Sequence, residues 1–374
     1  MMKFSCTKQN LTKALSLVSH IATKNTQLPI LQNILFTTNN DHIIVKATNL
    51  EVGIEVVIRG KVEGEGSFTV PASVLSSYVQ LLSNDRVDIE CDDTAMTISS
   101  GSQNTKIRGV NAGEFPLIPV VESQFDCTVN IEVLKNILPK VVVTASHDQS
   151  RVELTGVLWS FQDKKLTMAA TDSHRLSEAI VEAQVSLSDG VAKQVVIPSQ
   201  SLVELSRIIG ESEETEVKCL FSDAQVLFVC GDVKYTSRLL EVAFPEYQQI
   251  IPNHFTTSVT VKTSDCVQSI KAASLFSKAG IHDVSFHISP KEGSVTVTSV
   301  NAQVGENVSK MTAQITGEEE LTVIFNYRYI LDGLSHIGSP EVRFDFINIT
   351  APAVLRPIAV EAENYFMVIM PIKQ

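Results

Sequence analysis

The chain has 374 residues, 44% of them hydrophobic, and a formal net charge of −12. That apolar content excludes a disordered chain, and the length exceeds one typical domain, so two or three are expected. Net acidity over the whole chain argues against a nucleic-acid partner, although a sum says nothing about any one face.

In chain order, a first amphipathic helix is expected over 8–20, with Leu11, Leu15 and Val18 on one face. A β-branched strand then leads into Pro71 and a second helix over 71–82, and Arg86 to Glu90 alternates as a half-buried strand. The order then repeats. A helix over 130–146, which Pro139 should bend or interrupt, is followed by a strand, Pro198, a helix over 198–209 and the alternating run from Glu216 to Phe221. A third round has a helix over 262–279, then Asn326 in the proline's place, a helix over 326–337 and the run from Glu341 to Phe346. Positions 71, 198 and 326 are 127 and 128 residues apart. The period is far longer than that of a solenoid, so three copies of one whole domain are expected. Prolines 116, 119 and 252 punctuate the boundaries, giving domains over 1–122, 127–252 and 253–374, each with two helices and about eight short strands.

The six helix spans hold nine Lys or Arg against four Asp or Glu, so they carry +5 and the rest of the chain −17. If the helices share a surface, it is positive and suits contact with phosphates without reading bases. The alternative is that lysine is simply a good helix former, which would equally predict glutamate.

One stretch invites a catalytic reading: Thr171, Asp172, Ser173, His174, Arg175 and Leu176. Triads join side chains from separate elements, and neighbours on an extended strand point to opposite faces, so consecutive residues make a poor one. A turn held by Asp172 and Arg175 is the simpler reading. Thr48, Asn49, Leu50 and Glu51 occupy the same place in the first copy, and Val300 to Gln303 in the third. No nucleophile elbow, phosphate loop, dinucleotide fingerprint or metal-spaced histidine cluster occurs, so no catalytic residue, metal or cofactor is expected. The six cysteines have no Cys-x-x-Cys spacing and are expected to be small buried hydrophobes in a reducing compartment. The N-terminus has no apolar core of a signal peptide and no run reaches the ~18 residues of a membrane span, so a soluble, cytoplasmic protein without a membrane partner is expected. The apolar C-terminus, Tyr365 to Ile372, reads either as the last strand of the third copy or as an adaptable binding surface.

Together these features resemble the bacterial sliding clamps, the beta subunits of DNA polymerase III. The resemblance covers the whole chain. It rests on the triple repeat, Leu28 to Leu31, Thr48 to Glu51, Phe115-Pro116, Thr171 to Leu176, Phe244 to Tyr247 and Met370-Pro371. It implies an α+β DNA-clamp fold of three similar domains, each with two helices packed on antiparallel sheets. It further implies a non-catalytic homodimeric ring that encircles double-stranded DNA, with helices lining the pore. The implied partners are the replicative polymerase catalytic subunit, the clamp loader, and clamp-motif peptides of repair polymerases, mismatch repair and ligase.

Carried over position by position, a peptide groove between the second and third domains would use Leu154, Thr171, His174, Arg175, Leu176, Pro245, Ile250 and Val368. Pro352, Val354, Met370, Pro371 and Ile372 would form its adjoining sub-site. Residues facing DNA would include Lys24, His147, Lys135, Lys140, Arg207 and Lys271, with Asp148 close by. Ring closure would use Ile107 of one chain against Leu275 and Phe276 of the other. Ser173 stands where the family commonly has glycine, Gln249 where it has arginine and Thr105 where it has an aromatic. Read from the residues alone, two rivals remain: a hydrolase using His174 with Asp172, and a structural repeat protein binding neither DNA nor peptide.

Overall fold

The structure is a computed structural model describing residues 1–22, 28–39, 42–186, 192–278, 280–358 and 364–373. The expected helices form as α1 (Lys8–Ser19), α2 (Ala72–Leu81), α3 (Ile131–Val142), α4 (Ser199–Gly210), α5 (Thr263–Ser274) and α6 (Tyr327–His336). Two stop well short of the expected end. The third runs through Pro139 and stops at Val142, and the fifth stops at Ser274, ahead of the turn that presents Leu275. The strand–Pro–helix signature has a simple local cause. Pro71 occupies the N-cap of α2, and at the equivalent place Asn326 caps α6 by accepting the Arg328 N–H at 3.0 Å. Thr7 caps α1 in the same way, accepting from Asn10 N at 3.1 Å.

Among the described residues each copy contributes nine strands, one more than expected, and one pattern of pairing recurs. In every copy strands five, one, seven, eight and nine are neighbours, and four, three, two and six are neighbours. What joins copies is the ninth strand. Val233–Arg238 of the second copy pairs antiparallel with Val52–Ile58, the fourth strand of the first. Tyr365–Ile369 of the third copy pairs the same way with Arg175–Glu182, the fourth strand of the second.

Contacts therefore cluster across the repeat, cutting the middle copy. The first compact unit is Met1–Ile131, Val185–Ser188 and Arg207–Leu239; the second is Glu132–Gln184, Asp189–Ser206 and Leu240–Gln374. The first unit holds a nine-stranded sheet and a five-stranded sheet that ends on Gln103–Arg108. The second holds a nine-stranded sheet and a four-stranded sheet that ends on Gly305–Thr312. Each unit thus ends on one strand that lacks the ninth-to-fourth pairing seen at the two junctions, a ninth strand in one and a fourth strand in the other.

Helix faces supply the cores. Leu11, Leu15 and Val18 of α1 are buried as their spacing predicts, as are Ile270 of α5 and Leu334 of α6. All six cysteines are buried. Desolvation pushes the thiols of Cys6 and Cys266 up to about 12, so they stay protonated and inert. Among the described residues no helix is long and apolar enough to cross a membrane.

Candidate functional site

The corner from Thr171 to Leu176 is closed by its own side chains. Thr171 Oγ1 donates to Arg175 O at 2.6 Å and accepts Ser173 N–H at 3.1 Å. Asp172 Oδ1 accepts the N–H groups of His174 and Arg175 at 2.9 and 3.0 Å. This network forces Ser173 to φ +77°, the left-handed region where glycine would be unstrained. Its hydroxyl accepts from Arg151 Nη1 at 2.7 Å. The first copy repeats the turn bond for bond, with Thr48 to Val52 O at 2.8 Å, Asn49 Oδ1 accepting Glu51 and Val52 N–H, and Leu50 at φ +76°. In the third copy only the Asn301 side-chain bond to Gln303 N–H is kept from this set.

These bonds remove the catalytic reading. Asp172 Oδ2 accepts Arg175 Nε at 3.0 Å, so both carboxylate oxygens hold the turn and neither orients an imidazole. The His174 ring lies parallel to the Tyr329 ring, centroids 6.2 Å apart, and is exposed. Ser173, His174 and Asp172 therefore lack a proton path. Among the described residues no group of three or more His, Cys, Asp or Glu is arranged to hold a metal.

Arg175 is buried, unlike His174. Its guanidinium reaches Asp332 of α6 at 2.6 Å as well as Asp172, and lies 4.6 Å from the Tyr329 ring centroid. Burial and the nearby Asp172 carboxylate hold the Tyr329 phenol above its ordinary value. Tyr329 and Asp332 were missed in the sequence. Their i, i+3 spacing on one helix face was the available signal, since such residues meet one neighbour.

Beside this corner lies an apolar floor. Leu176, Val368 and Val354 sit opposite one another on three paired strands and belong to one buried cluster with Leu158, Tyr247 and Val196. Tyr247 is fixed by donating to Glu178 at 2.6 Å, and burial together with that carboxylate pushes its phenol upward. Leu154 and Thr171 are buried at the edge, while Pro245, Pro352, Met370 and Ile372 are half-buried and Pro371 is buried. Ile250 is exposed. The C-terminal run forms the last strand, Tyr365–Ile369, and the tail continues with Met370 N–H donating to His174 O at 2.9 Å and Ile372 N–H to Ile324 O at 2.8 Å. The thirteen proposed groove positions thus fall in one compact unit, with buried aliphatics below and Met370, Ile250 and His174 accessible above. Such a surface can seat apolar anchors of an extended peptide, with a polar rim to orient it.

The basic residues divide. Lys271 and His147 are exposed, and Lys135 is half-buried in a pair with Glu132 at 2.8 Å. Two expectations need correction. Lys140 is 3% exposed and its Nζ lies over the buried Tyr365 ring at 5.6 Å, so it is not presented to a phosphate; burial lowers its pKa. Arg207 donates to the carbonyls of Ser16 and Leu17 at 3.2 and 2.8 Å, so its charge closes the C-terminal end of α1. Lys8 does the same for α2 through Gln80 O and Leu82 O. Part of the helices' positive sum is therefore spent on helix ends. Lys24 lies outside the described residues. Asp148 accepts from Ser150 N–H at 2.9 Å, and that turn holds its carboxyl below the usual range.

At these end strands Leu275 is 74% exposed and Phe276 half-buried beside Gly305. Ile107 corrects the third expectation. It is 7% exposed, opposite Met96, so its side chain fills its own core.

Three family models match successive parts of the chain: the N-terminal, central and C-terminal domains of the DNA polymerase III beta subunit, over residues 2–119, 128–246 and 248–373. The beta sliding clamp of Synechococcus elongatus is 30% identical, covering 100% of this chain and 99% of that one. The beta sliding clamp of Bacillus subtilis is 29% identical over 100% of both. Among solved structures, the beta subunit of DNA polymerase III from Thermotoga maritima superposes with a TM-score of 0.92 at 27% identity, covering 100% of both chains.

Proposed function

Since the chain belongs to the beta sliding clamp family of bacterial DNA polymerase III, we propose that it works as a non-catalytic ring. Two copies join head to tail, encircle duplex DNA and tether the replicative polymerase. One observation carries the ring. Within the chain, the ninth strand of each later copy completes the sheet of the copy before it. The ninth strand of the first copy and the fourth strand of the third are the two that lack this partner. A second chain in the same relation satisfies both edges, which is a closed cyclic dimer. Leu275 and Phe276 flank that seam, and Ile107 supports it from within.

Retention on DNA is topological. Exposed Lys271, His147 and Lys13, together with half-buried Lys135, make weak, exchanging phosphate contacts that read no base. The acidic remainder of the chain disfavours DNA elsewhere. Partner peptides enter over Leu176, Val354 and Val368, with Met370, Pro371, Ile372, Pro245, Pro352, Ile250, Leu154, Thr171 and His174 around them. Arg175 acts from beneath by holding the corner to α6. The clamp loader uses the same groove, as do repair polymerases, mismatch repair and ligase, in the cytoplasm. The repeat units are 1–122, 127–252 and 253–374.

The test is to load the protein onto nicked circular DNA with a clamp loader and then linearise the circle. Release on linearisation at moderate salt is expected. Protein that stays bound to the linear product refutes encirclement.

A further inference from the structure

The junction between the first and second copies is built like the peptide groove between the second and third, and lies wholly within the first compact unit. Gly53, Thr236 and Leu227 sit opposite one another on three paired strands, as Leu176, Val368 and Val354 do in the groove. The corner bonds are shared, and Arg238 N–H donates to Glu51 O at 3.0 Å where Met370 N–H donates to His174 O. Phe115-Pro116 precedes this floor as Phe244-Pro245 precedes the other. At the floor, a Cβ on Gly53 would come within 2.8 Å of the Ile118 side chain. Ile118 thus fills the space that Leu176 takes in the groove, and the linker is pinned across the sheet.

That pinning leaves its neighbours outside. Leu117 is 94% exposed, Val120 88% and Leu50 45%. Leu50 is held there at φ +76°, an unfavourable conformation for a branched apolar residue. Three large apolar side chains displayed around one corner mark an interaction surface rather than scattered exposure. The rim identifies the occupant. Where the groove presents His174, this junction presents the exposed carboxylate of Glu51, with exposed Glu114 and Glu122 on the linker against one exposed guanidinium, Arg238.

We propose that this junction is a second docking surface, for an extended peptide with Leu or Phe anchors flanked by Lys or Arg. The inference rests on the peptide-groove reading of the second junction, whose strand geometry it copies with a carboxylate in place of the imidazole.

The test uses the full-length protein at about 0.15 M salt, where long-range attraction is screened, and fluorescence polarisation of a fluorescein-labelled peptide KRLFLRK. Binding is expected, with L117D and L50G each weakening it about tenfold and E51K about fivefold, the range of truncations at a small anchor site. Glycine at 50 also relieves the backbone, so loss of fold does not explain its effect. I250D leaves this probe unchanged but abolishes binding of a polymerase-derived docking peptide, which L117D leaves intact. No binding of KRLFLRK, equal binding of the control KRSSSRK, or loss in I250D instead of L117D overturns the second surface without touching the first. Failure of the polymerase-derived peptide on the unaltered protein overturns the groove reading itself.

Discussion

Removing the Arg175 guanidinium is expected to loosen the groove from behind. The group is 8% exposed and makes three contacts: Asp172 at 3.0 Å, Asp332 at 2.6 Å and the Tyr329 ring at 4.6 Å. The Asp172 bond is charge-assisted and mostly dry, worth about 1.5 kcal/mol. Asp332 is 43% exposed, so solvent screening reduces that pair to about 0.5 kcal/mol. The ring contact adds about 1 kcal/mol. Arg175→Ala should therefore cost about 3 kcal/mol. Arg175→Lys should recover less than half, because one ammonium cannot reach both carboxylates and the ring face. The chain has a single tryptophan, Trp159, fully buried in the same nine-stranded sheet as Arg175. Urea unfolding followed by its fluorescence reports this unit rather than the whole chain, which need not unfold in one step. A double cycle of Arg175→Ala with Asp332→Ala should show a coupling of about 0.5 kcal/mol. If Arg175→Ala unfolds within about 0.5 kcal/mol of the parent, a shift typical of unremarkable surface changes, the guanidinium does not anchor α6 to the corner, and its place beneath the groove loses its basis.

Two further outcomes follow from burial. Lys140→Met should stabilise the protein by about 1 kcal/mol in the same assay, since burial already disfavours the charged lysine; it should leave retention on circular DNA unchanged, whereas Lys271→Glu should shorten it. The buried thiols of Cys6, Cys91 and Cys266 rise from an ordinary 9.0 to about 12 in the folded chain. They stay neutral when the unfolded chain would ionise, so their contribution is intact below pH 9 and is lost as the pH rises to about 12. Alkaline titration followed by circular dichroism should show unfolding in that window, and a thiol reagent at pH 8 should label these three only after denaturation.

What was legible in the sequence was local. A proline or asparagine ahead of an apolar helix, and Thr-Asp or Thr-Asn ahead of a strand, specify caps and turns within a few residues, and these formed as read. Pairing between copies was not legible. Alternation tells which face of Val233–Arg238 is buried but not that Val52–Ile58 lies beside it, because ladder bonds carry no residue identity. Charge misled for a related reason. Lys140 and Arg207 read as solvated helix residues, yet one lies over a buried ring and the other serves the carbonyl end of α1. A pattern of types along one helix cannot reveal the helix end packed against it. Ile107 failed similarly, since a six-residue strand with mixed polarity leaves open which face turns inward.

In the proposed ring, the two strands left without their junction partner make the chain a two-ended monomer, and assembly is a competition between chain growth and cyclisation. The first seam forms between free molecules, but the second forms within one assembly, at an effective concentration of about millimolar. Each seam can therefore be weak on its own while the closed pair persists, because breaking one leaves its ends poised to rejoin. A ring built this way resists dilution yet yields to force applied at a single gate.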